Sequence, residues 1–554
     1  MGRSNALRRR CSGSRRWVAG QGAGRLPAGG GACSHGPAVT RAAIPLAVAL
    51  VLAGPMVARA APRPASAREA QVAQLMAKAA SHPAQLRVMM RQMPKGGDLH
   101  NHLGGSIYAE DFLHWAAGSG LCANAAGDGL VPGPCAPGRG IDAIAMQQPF
   151  LYARLVDALS TRGWQHGVGA NEVSGHTQFF ATFDKFGIAS RGHDAQVLAI
   201  TRQIAAGDHV LYLELDHNPE AVMAHVLATP DVPLDAAGLE ARYAQEMALA
   251  GPVIDKAIAQ LDRNEAAANA LLGCGTAAAD PACGIAVHYL TWGARGMQPA
   301  AAFRSLVLGF ALAARDPRFV GVNIVQPEDW PVALRDYDLH MAMFRFLEGK
   351  YPQVRPTLHA GELAMGQVAP PHLRDHIAKA IAAGAQRIGH GTDIALEQDA
   401  RATMATMARK GIAVEINLSS NDVILGVKGG EHPLNLYRRM GVPVVLATDD
   451  EGVLRTDMTN EYVRAVTEQG LGYRDLKAMA RASITYSFAP GQSLWRTGLP
   501  GVPVASCAGG FAMPACRALM AGSEKARLEA ALEARFAAFE ADEIANARAR
   551  SAAR

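Results

Sequence analysis

Three kinds of motif are missing from this sequence of 554 residues, and the absences narrow its function. No two cysteines stand in the C-x-x-C spacing, so we do not expect a zinc site built from cysteines. No glycine-rich phosphate loop follows any strand candidate, which counts against an open nucleotide-binding sheet. No internal repeat of fixed period is found. Hydrophobic residues make up 49% of the chain and charged residues 19%, which suits a large buried core.

Acidic residues are absent from the first 68 positions. Residues 1–60 contain nine arginines and no lysine, so their removal would change the net charge from +5 to −4. A mature chain with that charge has no global positive field to attract nucleic acid or an anionic membrane. No basic stripe interleaved with aromatic side chains is present either. We therefore expect no nucleic-acid partner.

No segment is long and apolar enough to span a bilayer. The apolar run from Ala42 to Ala53 has only twelve residues, follows Arg41 and precedes Ala58-Arg59-Ala60. This pattern is typical of an export signal with a small-x-small cleavage site. The residues before Arg41 leave three explanations open: a later translation start, a twin-arginine signal at Arg15-Arg16, or an arginine- and alanine-rich tail. We predict a leader over residues 1–60 and an exported protein, periplasmic or secreted.

Eight cysteines are present, and two of them, Cys11 and Cys33, lie in the leader. The other six form close pairs within loop-like stretches rich in Gly, Ala and Pro: Cys122 with Cys135, Cys274 with Cys283, and Cys507 with Cys516. An even count in close pairs favours three local disulfides in an oxidising compartment. Other connectivities, and unpaired thiols, remain alternatives.

From Met93 onward, short apolar strand candidates alternate with helical patterns. The strand candidates are Gly97–Leu103, Val210–Leu215, Ile285–Trp292, Phe319–Val325, Arg355–His359, Gln386–His390, Ala413–Leu418 and Val442–Ala447. Helical patterns cover residues 67–92, Ala333–Leu347, Leu373–Ala383, Asp399–Lys410 and residues 524–550. This alternation predicts an α/β fold, a (β/α)₈ TIM barrel, with an open doubly wound sheet as the alternative.

The predicted organisation has four parts. A leader occupies residues 1–60, and an N-terminal tether and helix occupy residues 61–92. The barrel occupies residues 93–490, and a C-terminal disulfide loop and helix occupy residues 491–554.

Ionisable residues cluster at the carboxyl ends of four strand candidates. In the first, His100 and His102 are two apart and so point to the same side of a strand, where both can bind one ion. His359 ends the fifth, His390 lies between two glycines at the end of the sixth, and Asp449 follows the eighth. Each has an ordinary structural interpretation, as a core histidine or a helix N-cap. Together they favour an active site, because barrel enzymes build theirs at this end.

These stretches resemble the signature blocks of the adenosine deaminase family in order and approximate spacing. The blocks are Met93 to His102, His359-Ala360-Gly361-Glu362, Arg387 to Thr392, Thr448-Asp449-Asp450, Ser420-Asn421 and His432-Pro433-Leu434. The Met-Pro-Lys-Gly opening and the export signal are most similar to the secreted branch, which includes the adenosine deaminase-related growth factors. The resemblance covers roughly Met93 to Ala480 and is compatible with an oligomer formed through the N-terminal region.

The resemblance implies one Zn²⁺ per chain, held by His100, His102, His359 and Asp449. The ion would lower the pKa of a bound water to about 7, which provides hydroxide at neutral pH. His390 would orient that hydroxide and take part in its deprotonation.

The resemblance also implies how a purine nucleoside would be bound and deaminated. Glu362 would protonate N1 while hydroxide attacks C6, and Asp450 would hydrogen-bond near N7. The backbone N–H groups of Gly361 and Gln326 would be further donors, and His102 would line the substrate side. Adenosine, and 2′-deoxyadenosine, would give the corresponding inosine and ammonia.

Three positions depart from the family pattern. Gly104 stands where many adenosine deaminases carry an aspartate that helps hold the ribose 5′-hydroxyl, so a 5′-modified nucleoside is an alternative substrate. Gln326-Pro327-Glu328 replaces a Gly-Asp-Glu-like turn after the fourth strand, and proline offers no N–H there. Asn417-Leu418 replaces a frequent Cys-Pro pair.

Aromatic residues from Phe179 to Phe186 resemble a family segment near the substrate pocket, although helix packing is the simpler interpretation.

Two other functions remain alternatives. One is a different amidohydrolase reaction, which often uses a second metal held by a lysine of the fourth strand; Phe319–Val325 contains none. The other is a non-catalytic secreted binding protein, which the presence of Glu362 and all four zinc ligands disfavours.

Overall fold

The structure, a computed structural model, describes residues 66–164, 173–230 and 232–552. The predicted leader of residues 1–60, with its two cysteines, lies outside these ranges, as does the tether up to residue 65. In the described part, no helix combines the length and the apolar character needed to cross a membrane.

Eight parallel strands form one sheet whose spatial order is the chain order. They are β1 (Gly96–His102), β2 (Val210–Asp216), β3 (Ala286–Ala294), β4 (Phe319–Val325), β5 (Arg355–Ala360), β6 (Arg387–His390), β7 (Ala413–Ile416) and β8 (Val444–Leu446). A parallel bridge between Asn101 and Asp449 joins β1 to the chain just after β8. The predicted (β/α)₈ barrel is therefore confirmed, and the open doubly wound alternative is wrong.

The strands form where apolar runs can be buried on both faces. β2 and β4 are buried over their whole length, which is typical of parallel strands covered by helices. Helix α10 (Pro299–Arg315), which connects β3 to β4, is buried from Ala300 to Leu312. Its alanine-, leucine- and phenylalanine-rich face therefore covers the barrel wall.

The other helices cover the barrel or extend it. They are α1 (Ala67–Ala79), α2 (Pro83–Gln92), α3 (Ala109–Gly118), α4 (Ile141–Gln147), α5 (Pro149–Ala158), α6 (Gly175–Ser190), α7 (Asp194–Gly207), α8 (Glu220–Ala228), α9 (Leu239–Leu271), α11 (Pro331–Lys350), α12 (His376–Ala382), α13 (Ala400–Lys410), α14 (Leu418–Leu425), α15 (Leu434–Met440), α16 (Glu451–Leu454), α17 (Met458–Thr467), α18 (Tyr473–Thr485), α19 (Pro514–Ala521) and α20 (Glu524–Ala552). The helix predicted over residues 67–92 is two helices, because Pro83 has no N–H and favours a first helical position.

All three predicted disulfides are present: Cys122–Cys135, Cys274–Cys283 and Cys507–Cys516. The first closes the loop around a small hairpin of Cys122–Ala123 with Leu130–Val131. The third lies in the C-terminal region, where Cys507 and Cys516 are buried with Leu494 and Trp495. Each bond joins cysteines nine or thirteen positions apart and so closes a local loop.

Removal of the C-terminal disulfide is expected to lower the thermal stability measurably. The bridged cysteines are nine positions apart, and releasing a loop of that length costs about 3 kcal/mol. For a chain of this size the change corresponds to a melting temperature lower by about 3 °C. Thermal unfolding of the Cys507→Ser/Cys516→Ser protein, compared with the parent with and without reductant, measures it. An unchanged melting temperature in all of these samples would contradict the prediction.

Candidate active site

The polar side chains predicted from the strand ends come together at one end of the barrel. Three are metal-ligand candidates that are almost completely buried: His100 on β1, His359 on β5 and Asp449 after β8. His102, at the end of β1, keeps 17% of its side chain exposed and so faces the opening. This is the end at which barrel enzymes bind their substrates.

Three distances between donor atoms of the four predicted zinc ligands match the spacing that one small cation requires. His102 Nε2 lies 3.2 Å from His359 Nε2 and 3.3 Å from Asp449 Oδ1, and His100 Nε2 lies 3.5 Å from Asp449 Oδ1. Four ligands at tetrahedral positions around zinc are about 3.3 Å apart. His100 Nε2 is buried and has no hydrogen-bond partner among the described residues, so the site is polar but unsatisfied without a cation. The residues therefore fit a metal ion.

The other ring nitrogen of His100 determines which nitrogen can bind that ion. His100 Nδ1 lies 2.8 Å from Glu415 Oε2 on β7, so Nδ1 donates its proton and the Nε2 lone pair faces the site. Glu415 also accepts hydrogen bonds from Arg387 and from the Thr357 hydroxyl. Although burial opposes ionisation, Arg387 and His100 hold the pKa of Glu415 at about 2. Glu415 is therefore a carboxylate that orients His100.

His359 is oriented in the same way by an amide. Its Nδ1 lies 2.9 Å from Asn323 Oδ1 on β4. The amide nitrogen of Asn323 donates to Asp216 on β2, which leaves the amide oxygen facing the imidazole. His359 Nε2 is thus also free of its proton and available to a metal. Glu415, Asn323 and Asp216 are not among the residues predicted from the sequence. Each is a polar residue inside an otherwise apolar buried strand, and this is the signal that could have identified them.

His390 also approaches the donor atoms. Two groups of side chains have donor atoms that all lie within 4.8 Å of one another: His100, His359, His390 and Asp449 form one, and His102, Asp449 and Asp450 form the other. His390 Nε2 lies 3.7 Å from Glu362 Oε1 and 3.9 Å from Asp449 Oδ2. Distances alone therefore do not choose between His102 and His390 as a ligand, although His102 lies closer to Asp449, at 3.3 Å, than His390 does, at 3.9 Å.

Glu362 follows β5 on a turn that only glycine can make at the preceding position. Gly361 has φ of +73°, and a Cβ there would lie 2.3 Å from Asp393 Oδ1. The Gly361 carbonyl accepts hydrogen bonds from the N–H groups of Thr392 and Asp393. Burial and the nearby Asp449 raise the pKa of Glu362 well above its usual range. This shift favours the protonated carboxyl group that a general acid requires.

The opposite side of this turn is held by Glu328, which follows β4. The N–H groups of Glu362 and Gly361 lie 2.9 Å and 3.3 Å from its two carboxylate oxygens, and His376 Nδ1 lies 2.6 Å from one of them. Against the effect of burial, Arg295 and His376 hold the pKa of Glu328 at about 2. Glu328 has no role predicted from the sequence beyond its place in the Gln326-Pro327-Glu328 departure from the family pattern. The Gly361 N–H faces this carboxylate, so its role as a purine donor stays a prediction.

Asp450 is buried beside Asp449, and its Oδ1 has no hydrogen-bond partner in the described ranges. It precedes α16, but its side chain makes no capping hydrogen bond, so the ordinary N-cap interpretation fails for this residue. Burial and Asp449 raise the pKa of Asp450 well above its usual range. This shift favours the protonated form, which can donate a hydrogen bond to a ligand.

Two of the departing positions have distinct structural roles. Gln326 has φ of +79°, a left-handed backbone that favours glycine, and its side-chain oxygen accepts a hydrogen bond from the Gly296 N–H at 2.9 Å. Gly104 is exposed beside the end of β1, and a Cβ added there would meet no atom within 4 Å.

The aromatic segment of α6 mainly packs against other helices. Phe186 stacks on Phe112 of α3 at a ring separation of 4.4 Å.

Comparison with known proteins agrees with this geometry. Residues 175–494 match the family model of adenosine deaminase. Among relatives, the aminodeoxyfutalosine deaminase of Streptomyces coelicolor is 38% identical over 112 residues, which is 20% of this chain and 28% of that protein. The adenosine deaminase of Shewanella woodyi is 33% identical over 136 residues, 24% of this chain and 38% of that protein. The chain thus spans well under half the length of these curated relatives.

Among solved structures, an Arabidopsis N6-mAMP deaminase is 21% identical, with a TM-score of 0.45 over 72% of this chain and 95% of that one. The family model covers more than half of the present sequence and includes His359, Glu362, His390, Asp449 and Asp450. The chain belongs to the adenosine deaminase family.

Proposed function

We propose that the protein is a zinc-dependent deaminase of purine nucleosides, which converts adenosine and 2′-deoxyadenosine to the corresponding inosine and ammonia. The observation that carries this proposal is the meeting of three imidazoles and a carboxylate, with three donor-atom distances of 3.2–3.5 Å between them, beside the buried Glu362. Nitrogen and oxygen donors in this number suit zinc. Zinc, when bound, would supply a hydroxide nucleophile at neutral pH.

The chain's own residues supply the proton transfers and the orientation of the purine. Glu362, protonated because of its burial, donates to ring nitrogen N1, which removes the negative charge that would otherwise develop on the ring. Purine N7 is a hydrogen-bond acceptor, and the protonated Asp450 is a donor that matches it. Two buried acids with raised pKa values thus fit N1, which is bonded to the reacting C6, and N7 of the fused five-membered ring.

Deamination is tested by the fall in purine absorbance when the zinc-loaded full chain is mixed with adenosine, 2′-deoxyadenosine or 5′-methylthioadenosine. Turnover of at least one of them, with release of ammonia, is expected. Protein that contains one zinc ion per chain and turns over none of the three would overturn the proposal.

Gly104 bears on which nucleoside is preferred. The space around it would accept the side chain that many relatives carry, so Gly104→Asp is expected to favour a substrate with a free 5′-hydroxyl. A hydrogen bond to a carboxylate contributes about 1.5–3 kcal/mol, so the ratio of kcat/KM for adenosine to that for 5′-methylthioadenosine should rise about 10–100-fold. Steady-state kinetics on both substrates measure the change.

A matched control is Gly118→Asp, since Gly118 ends α3 and a Cβ there also meets no atom within 4 Å. That variant should leave the substrate ratio unchanged. An equal change in both variants would show that the added charge alone, and not contact with the 5′ position, alters the kinetics.

We also propose that the protein is exported to a periplasm or to the exterior and belongs to the secreted branch of the family. The support is the set of three disulfides, because such bonds persist in oxidising compartments.

A further inference from the structure

Two segments between β7 and β8, Ser420-Asn421 and His432-Pro433-Leu434, have no place in the reaction as proposed. His432 is nevertheless buried, and its Nδ1 accepts a hydrogen bond from the Leu434 N–H at 3.2 Å. A neutral imidazole that accepts at Nδ1 carries its proton on Nε2. Burial and Arg464 lower the pKa of His432 to about 3, so this ring is neutral. His432 therefore presents an N–H donor at Nε2.

This donor determines the orientation of the Asn421 amide. His432 Nε2 lies 3.0 Å from Asn421 Oδ1, so the oxygen of the amide must face His432. The amide nitrogen then faces the opposite way, 3.1 Å from His390 Nδ1. Asn421 is buried on α14. The orientation of Asn421 is thus fixed by its two neighbours.

The amide in turn determines the proton position on His390. An amide nitrogen can only donate, so His390 Nδ1 must accept, and Asn417 Nδ2 lies near the same atom at 3.3 Å. The proton of the neutral ring is therefore on Nε2, a buried atom with no hydrogen-bond partner in the described part of the chain. Nε2 is within 4 Å of a Glu362 and an Asp449 carboxyl oxygen. His390 thus aims an unpaired N–H into the site.

The three inward histidines differ in the type of partner at Nδ1. His100 and His359 face acceptors there and turn a lone pair toward the metal position. His390 faces a donor at Nδ1 and therefore turns its Nε2 proton toward the metal position. The hydrogen-bond partner at Nδ1 therefore distinguishes the predicted ligands His100 and His359 from His390, which distances alone did not do.

We propose that Asn421 and His432 are positioning residues that hold His390 in the tautomer protonated on Nε2, so that His390 serves the reaction as a hydrogen-bond donor to the attacking oxygen. The assignment of that role rests on the proposed deaminase function, whereas the tautomer itself does not.

The tautomer can be observed directly in metal-free full-length protein. Histidine labelled with ¹⁵N gives long-range ¹H–¹⁵N correlation patterns that differ between the two neutral tautomers, and the His390 signals are those missing from a His390→Gln variant. We expect protonation on Nε2 in the parent. In Asn421→Asp, a carboxylate of the same shape would accept from Nδ1 and move the proton there. A parent protonated on Nδ1, or an Asn421→Asp pattern equal to that of the parent, would overturn the proposal.

Kinetics separate a positioning role from a merely structural one. His432→Phe keeps the volume but removes the donor to Asn421, and is expected to lower kcat about 10–100-fold with little change in KM. His432→Gln should retain most of kcat, because its amide nitrogen can reach the place of Nε2. Zinc content should stay at one per chain in both variants. His340→Phe is a matched control, since His340 is buried and has no hydrogen-bond partner in the described ranges.

Equal losses of kcat in His432→Phe and His432→Gln, or an unchanged kcat in His432→Phe, would contradict the positioning role. If no variant and no parent turns over a purine, the proposed function fails, while the spectra still decide the tautomer.

Discussion

Replacement of Glu362 by glutamine is expected to lower kcat for adenosine deamination by about 10²–10⁴-fold. The amide keeps the size of the side chain and can still donate a hydrogen bond, but it cannot transfer a proton to N1. Glu362 is buried at the end of β5, and its Oε1 lies 3.7 Å from His390 Nε2. Initial rates at saturating adenosine, followed by absorbance, measure the effect.

Zinc content is the control for this variant, because Glu362 is not among the predicted ligands and the ion should remain at one per chain. Glu348→Gln, on the exposed face of α11, should keep the parental kcat. A kcat for Glu362→Gln within tenfold of the parent, with zinc bound, would mean that another group protonates the ring.

Loss of the metal is expected to abolish turnover entirely. Dialysis against a chelator should remove activity, and added Zn²⁺ should restore it, because no side chain of the site can generate hydroxide at neutral pH. His359→Ala should lose both bound zinc and activity. Metal analysis and initial rates on the same samples test both statements. Activity that survives complete removal of metal would sink the zinc-dependent reaction.

The two candidate ligands, His102 and His390, make opposite predictions for zinc content. If His102 is the ligand, His102→Ala loses zinc and His390→Gln keeps it; if His390 is the ligand, the results are exchanged. Zinc affinity should also fall as the pH drops and the histidine ligands become protonated, since protonated imidazole cannot bind a metal. Burial lowers the pKa of His102 to about 4 and that of His359 well below its usual value, so these two ligands become protonated only well below pH 6.5.

The barrel was predictable because its signal is local. The strand predicted over Phe319–Val325 has those bounds in the structure, and the run is apolar enough to be buried on both faces. The histidines and carboxylates at the strand ends were predictable for a related reason: parallel strands bring their carboxyl ends to one face of a barrel.

The residues that orient the site were not predictable, because their partners are distant in sequence. Glu415 is 315 positions from His100, and Asn323 is 36 positions from His359. A polar residue inside an apolar strand marks Glu415 and Asn323, but nothing in the sequence shows which histidine each of them contacts. The break between α1 and α2 was missed for a different reason: the apolar spacing continues across Pro83 although the backbone cannot.

The bridge between Asn101 and Asp449 has a consequence for how the protein becomes competent to hold its ion. The barrel closes between β1 and the chain after β8, and three of the predicted ligands form the backbone hydrogen bonds of this seam. The Asp449 N–H donates to the His100 carbonyl, and the Asp449 carbonyl accepts from the His102 N–H. Nearly 350 positions of chain separate the two sides of this seam, as for Asn101 and Thr448, which are 347 apart. Contacts between such distant segments are slow to form, because closing the long loop between them costs entropy. A chain whose barrel has not yet closed would therefore have only part of the set of metal ligands. A metal that binds the complete set would stabilise the closed barrel.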